Sequence, residues 1–249
     1  MSFSARYGTL IGLLAIVALF AALSPEAFAK GSNLINITQQ MSLLAIVALG
    51  ATFVMSLSEF DLSVGAVVSM AGIVSVTLFG AGWGIVPVML VTLLAGFAVG
   101  AVSGLAIATY RMPSFIVTLA MGTIVGGITY WISDGATLFG NIPVGFRDLG
   151  RGYLAGIPVL TLWALAATLF AAFILDHTEL GRRILAIGGN REAARLTGVR
   201  IVPNSVWAFG LCTLFAALAG LLLTARSAAP IRPAATVSCF RPMRLSSSA

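Results

Sequence analysis

The 249-residue chain is 59% hydrophobic and only 9% charged, against about 25% charged residues in a soluble globular domain, so it cannot cover itself with a water-facing surface. Its formal net charge of +6 comes almost wholly from arginines in short loops between apolar runs, a pattern that fits the basic bias of cytoplasmic membrane-protein loops better than a nucleic-acid footprint. One histidine and two cysteines, Cys212 in an apolar run and Cys239 in a polar tail, are too few for a disulfide framework or a metal site.

In hydrocarbon every backbone N–H and C=O has to be paired within the protein, so spans are helices or closed barrels. The runs here are long and rich in Leu, Ala, Val and Gly, without ten-residue alternation, which favours helices. The expected fold class is all-α: a polytopic transmembrane helical bundle of about seven spans. In chain order they are Gly8 to Leu23, Ile37 to Leu57, Leu62 to Phe79, Ile85 to Tyr110, Phe115 to Ile132, Val159 to Leu175 and Val206 to Ala225. Ala27-Phe28-Ala29 has the form of a signal cleavage site, but further apolar runs follow and the first run is read as a span. The fourth is long enough to tilt or to break at one of its glycines. Between the fifth and sixth, the Gly-rich stretch Ser133 to Ile157 reads as a loop with room for one short re-entrant or interfacial helix. No second domain or internal repeat is visible, so residues 1–229 read as one transmembrane domain and 230–249 as a separate tail.

Orientation follows from the arginines. The loop from Asp176 to Pro203 holds Arg182, Arg183, Arg191, Arg195 and Arg200, the densest positive cluster, which assigns it to the cytoplasm. Counting back, the Arg111-Met112-Pro113 turn, the Ser58 to Asp61 turn and the N-terminus share that side, and Ser133 to Ile157 faces the periplasm.

Within the cytoplasmic loop, Asn190 is a good N-cap, Arg-Glu-Ala-Ala-Arg-Leu favours helix, and Gly198 supplies a C-terminal cap. The result is a short helix outside the membrane, either a plain amphipathic connector or a docking helix for a cytoplasmic partner. Asp61 opens the third run, where an isolated carboxylate in hydrocarbon is costly; it suits an N-cap at the positive end of the helix dipole, and substrate contact is the other reading. Ser63, Ser103, Phe115, Thr118, Thr123, Thr129 and Trp131 are candidates to line a polar path, although hydroxyls in spans more often serve helix contacts. The only lysine, Lys30, is followed by Gly31, so no Gly-rich loop with Lys-Ser or Lys-Thr exists for nucleotide phosphates. No catalytic constellation and no cofactor site is expected, so the chain reads as a transport subunit and not as an enzyme.

Four stretches carry a resemblance. Gly181-Arg-Arg-Ile-Leu-Ala-Ile-Gly-Gly-Asn-Arg-Glu-Ala-Ala-Arg-Leu-Thr-Gly-Val199 resembles the coupling segment of the ribose-type ABC sugar permease family. Phe60-Asp-Leu-Ser-Val-Gly65 resembles that family's Gly-Ile-Asp-Leu-Ser-Val-Gly motif, and Pro113-Ser-Phe-Ile-Val-Thr-Leu119 its Pro-Phe-Ile-Val-Thr-Leu turn. Asn33-Leu-Ile-Asn-Ile37 with Ala48-Leu-Gly-Ala-Thr-Phe-Val54 is similar to its second span. Glu59-Phe60 departs from the family's Gly-Ile, so the turn at Asp61 is expected to differ locally.

The resemblance implies a permease subunit of an ABC importer in the bacterial inner membrane, moving a monosaccharide. Its implied partners are a cytoplasmic ATP-binding subunit, a second permease copy, a periplasmic sugar-binding protein and the lipid bilayer, with no nucleic acid. It also implies that Asn190, Glu192, Ala193, Ala194 and Gly198 contact the ATPase; the translocation-path candidates, Asp61, Ser63, Phe115 and Thr118, rest on residue chemistry. A branched-chain amino-acid permease of the same superfamily and a secondary carrier are the alternatives.

The end of the chain stands apart. After Ala229 the composition turns to Pro, Arg and Ser, where the resembled family runs on through Gly-Tyr-Gly-Phe-Glu-Leu-Asp-Ala-Ile-Ala-Ala-Val-Val-Ile-Gly. Read one register over, Pro233 to Ser238 can encode Gly-Gly-Tyr-Gly-Phe, and Met243 to Ala249 can encode Ala-Ala-Val-Val-Ile-Gly at the family's spacing. The expectation is an out-of-frame tail from about Pro230 with the final spans missing; a disordered polar tail is the plainer alternative.

Overall fold

A computed structural model describes residues 8, 12, 16–24, 28, 30–136 and 142–227. Helices dominate: α1 (Gly31–Met55), α2 (Val64–Gly80), α3 (Ile85–Tyr110), α4 (Ser114–Ser133), α5 (Val144–Arg151), α6 (Val159–Ala172), α7 (Glu179–Gly189), α8 (Arg191–Leu196) and α9 (Ile201–Ser227). Among the described residues the strands are two-residue pieces, β1 (Tyr153–Leu154) and β2 (Ile157–Pro158), paired antiparallel with Tyr153 opposite Pro158. The all-α bundle is therefore confirmed.

Among the described residues, five helices are long and apolar enough to cross a membrane: Gly31–Met55, Ile85–Tyr110, Ser114–Ser133, Val159–His177 and Ile201–Ser227. The shortest has 19 residues, about 29 Å at 1.5 Å per residue. α2 has 17 residues and falls a few ångströms short of about 30 Å of hydrocarbon. Residues 16–23 are helical, but most of the Gly8 to Leu23 run lies outside the described residues, so a count of seven is not reached. The expected change of sequence at residues 230–249 also lies outside them.

Boundaries differ from the sequence reading: α1 begins six residues early, at Gly31 and not Ile37. α9 begins at Ile201 and not Val206, because Pro203 falls in the first turn, where no N–H is needed. Glu179–Gly189 is a helix and not a loop: the Thr178 hydroxyl accepts from Gly181 N at 3.3 Å and caps it. The short helix expected between the fifth and sixth runs is α5.

α9 is the central element, with both its apolar and its small residues buried. α3 does not break at its glycines. Gly96, Gly100 and Gly104, spaced by four, form the face laid against α9, and a Cβ on Gly100 would stand 2.1 Å from Phe209 O. Gly104 meets Ser205 O and Gly96 meets the Ala217 methyl in the same way. In hydrocarbon no hydrophobic force pulls helices together, so close backbone approach over small residues supplies the packing. α1 packs on another side of α9 through Gly50 against Cys212 and Phe215, with Phe53 and Phe215 rings 5.8 Å apart. α2 packs through Val68 and Ala71 against Gly220.

The two ends of the bundle differ. At one end α5 is pinned by Phe146, buried 4.8 Å from the Phe79 ring, by Gly150 beneath Ala225, and by Arg151 Nε donating to Arg226 O. At the other end lie α7, α8, the residue 111–113 turn and the gap between α1 and α2.

The α3–α9 contact generates a prediction. Gly100→Val forces the backbones apart and costs about 1–3 kcal/mol or more, read as a lowered melting midpoint of the detergent-solubilised chain. Gly80→Ala, at a helical position with open space around it, leaves the midpoint unchanged or slightly raised.

Candidate coupling and translocation site

The chain leaves α1 at Met55 and re-enters helix only at Val64. Ser58 takes a left-handed conformation, φ +59°, and Glu59 N returns to Val54 O at 3.2 Å, a Schellman-type stop made without glycine. The freed N–H groups of the following residues need acceptors, and side chains provide them. Phe60 N donates to Ser114 Oγ at 3.1 Å and Leu62 N to Thr118 Oγ1 at 3.1 Å. Ser114 and Thr118 are four apart on α4 and so share a face; Gly122, four further on, lies against Ser63 Cα.

Asp61 is not the N-cap of α2. The cap position belongs to Ser63, and the Asp61 carboxylate closes a turn ahead of the helix, where Oδ1 accepts from Ser63 N at 2.8 Å and Ser63 Oγ at 2.6 Å. Its other oxygen, Oδ2, is buried with no hydrogen-bond partner among the described residues, and Cys212 of α9 lies close to the carboxylate. Asp61, Ser63 and Thr118 are thus brought together. Phe115 is not, since it follows Ser114 by one residue, points off α4 the other way and is 54% exposed.

The remaining hydroxyl candidates Ser103, Thr123 and Thr129 each donate to the carbonyl four residues back on their own helix, and Trp131 is exposed at the end of α4. Ser114 and Ser58 carry no site expectation from the sequence, and Glu59 stands out there only as a departure from the resembled motif. For Ser114 a signal existed, the small-residue spacing Ser114, Thr118, Gly122 on one helical face.

The span that begins as α6 ends in a π-helical turn, Phe173–His177, and α7 starts beyond it. α7 turns Ile184 and Ile187 inward and Arg182 and Arg183 outward, the pattern of a helix lying along a surface. α8 follows as the sequence predicts. Asn190 Oδ1 accepts from Glu192 N at 3.1 Å and Ala193 N at 2.9 Å. Gly198 adopts φ +86°, and Val199 N closes on Ala194 O at 3.0 Å. Asn190, Glu192, Ala193 and Gly198 are exposed, whereas Ala194 is buried against the bundle. Leu196, which sequence reasoning passed over, is 81% exposed on this polar helix. Beside α8 an open cavity of about 840 Å³ is lined by Glu59, Arg111, Arg191, Glu192, Arg195 and Arg200 among others.

A bundle of apolar helices around one buried helix, with a hydrogen-bonded connection between α1 and α2 and a capped helix outside the membrane at the same end, fits a transport permease. The chain belongs to the family described as "Branched-chain amino acid transport system / permease component", whose profile matches residues 33–238. It is 35% identical to the ribose import permease protein RbsC of Haemophilus influenzae over 92% of this chain and 71% of that protein. It is 34% identical to RbsC of Bacillus subtilis, over 89% and 69%. To the D-allose transport system permease protein AlsC of Escherichia coli it is also 34% identical, over 89% and 68%. No solved structure gives a significant match. The chain is a multi-pass inner-membrane permease.

Thr118→Val keeps the shape of the side chain but removes the acceptor of Leu62 N, leaving a part-buried N–H without its partner at a cost of about 1 kcal/mol. The expected result is a melting midpoint clearly below wild type, with Thr118→Ser close to wild type. Equal midpoints for all three would assign Thr118 no part in holding the break.

Proposed function

We propose that this chain is the transmembrane subunit of an ABC importer that carries a monosaccharide inward, energised by a separate ATP-binding subunit. The observation that carries the reading is α8. It is a doubly capped helix outside the membrane that presents Asn190, Glu192, Ala193 and Leu196 to solvent while Ala194 seats it on the bundle. An ordinary connector has no need of both caps or of a leucine 81% exposed; a docking helix needs a rigid, partly apolar outer face. The relatives carry ribose and allose in their names, which favours a sugar over the branched-chain amino acids of the family description.

In this reading α8 seats in the ATP-binding subunit, with Asn190, Glu192, Ala193 and Gly198 at or beside the contact and Ala194 as its anchor. A second permease copy completes the path, and a periplasmic sugar-binding protein delivers the substrate. Closure of the ATPase moves α8 and biases the spans between outward and inward openings. Asp61, Ser63 and Thr118 then act at the path through the shape of the α1–α2 break, and Phe115 stands free to face the path or the second copy.

Gly198→Pro tests the coupling role, because proline requires φ near −65° where the backbone stands at +86°. The substitution also deletes the N–H that donates to Arg195 O at 3.0 Å. Insertion should persist while sugar-stimulated ATP hydrolysis by the assembled complex is lost; hydrolysis at the wild-type rate would remove the docking role.

Orientation is tested separately. In a cysteine-free background, single cysteines in Ile142 to Ile157 should react with an impermeant reagent in intact cells, and those in Glu179 to Arg200 only after permeabilisation. The reverse pattern would invert the topology.

A further inference from the structure

Three contacts join the helices outside the membrane to the α1–α2 break. Gly188 of α7 lies so close to it that a Cβ would stand 2.0 Å from Ser56 O. The Ser58 hydroxyl donates to Gly188 O at 3.0 Å. Arg191, the first residue of α8, donates to Glu59 Oε1 at 3.1 Å. The first two fix the end of α7, and the third reaches α8 itself. Among the described residues it is the one ion pair between α8 and the membrane helices or their connections.

The pair is not needed to form either element. α8 has its own caps in Asn190 and Gly198, and the break has its own acceptors in Ser114, Thr118 and Asp61. What it adds is a link between two independently stable parts. The Glu59 side chain is 21% exposed and that of Arg191 41%, so solvent screens the link less than an open surface pair. Glu59 also stands where the resembled motif has glycine, so the link belongs to this chain's own sequence.

We propose that Glu59 and Arg191 form a clamp that delivers movement of α8 to the α1–α2 break, which makes Glu59 a positioning residue for coupled transport. A pull on Glu59 acts one residue from Phe60 and two from Asp61. Through Phe60 N–Ser114 and Leu62 N–Thr118 it passes to α4. This path is separate from the covalent one, which runs from Gly198 directly into α9. Arg111, Glu192, Arg195 and Arg200 line the same cavity, so the clamp works among competing charges and its geometry, more than net charge, selects the partner. The proposal rests on the coupled-permease reading above.

The test has two arms. In the first, backbone hydrogen exchange is measured on the full chain in lipid nanodiscs for wild type, E59Q, R191Q and the charge-exchanged E59R/R191E. Either single change should speed exchange severalfold in both residues 191–199 and residues 58–63, and the exchanged pair should bring both back toward wild type. Unchanged exchange in the single variants, or a change in one segment alone, overturns the clamp. In the second arm the chain is reconstituted with its ATP-binding subunit and sugar-binding protein. E59Q should raise the ATP hydrolysed per sugar taken up, with the exchanged pair restoring it; an E59Q stoichiometry equal to wild type overturns the coupling role. If the wild-type complex moves no sugar, the permease reading fails, and the exchange arm still decides the clamp.

Discussion

The pairing of a few backbone N–H groups governs this molecule. Where the chain leaves α1 and has not yet entered α2, its amides no longer find carbonyls four residues back and need other partners. Ser114 and Thr118 of α4 accept two of them and Asp61 a third. Those bonds fix α4 against α2 with Gly122 beside Ser63, and they fix the stop of α1 that Gly188 and Ser58 then hold from the other side. An uninterrupted span from α1 through α2 would have no need of α4 and would offer α7 no backbone to rest on. The break is therefore a junction at which three parts of the fold meet.

Around that junction the bundle is held by approach and not by bulk. α9 touches α1, α2 and α3 through positions where glycine replaces a side chain, and at Gly100 even a methyl group is too large. Aromatic contacts such as Phe53 with Phe215 fill the remaining space. By contrast α4 leaves Ile116, Leu119, Ile124 and Ile128 exposed, as a helix in contact with lipid or another subunit does.

What the sequence revealed depended on how local the cause was. The caps of α8 were readable because Asn190 and Gly198 act on backbone within three or four residues of themselves, and the long spans were readable because a run of apolar residues is its own signal. α7 was missed because Gly181, Gly188 and Gly189 suggest a loop; its helix is decided by the Thr178 cap and by the burial of Ile184 and Ile187. Asp61 was placed two residues wrong as a cap, since Ser63 takes the cap position and draws the carboxylate into a turn. The partners of Ser114 and Thr118 lie more than fifty residues away, and nothing in the local pattern names them. The glycines of α3 suggested a possible break because spacing alone does not say whether a small residue weakens a helix or seats another one upon it.

The central position of α9 has a consequence for biogenesis. A ribosome adding about 5–20 residues per second releases the spans α1, α2, α3, α4 and α6 before α9, the helix on which α1, α2 and α3 pack. For many seconds α1 and α3 sit in the membrane with the glycine faces that will meet α9 open to lipid, their partner not yet synthesised. Insertion and assembly are then separate events in time, as a two-stage picture of membrane folding supposes. The arrival of α9 is then the step that lets α1, α2 and α3 close their small-residue faces against a common partner.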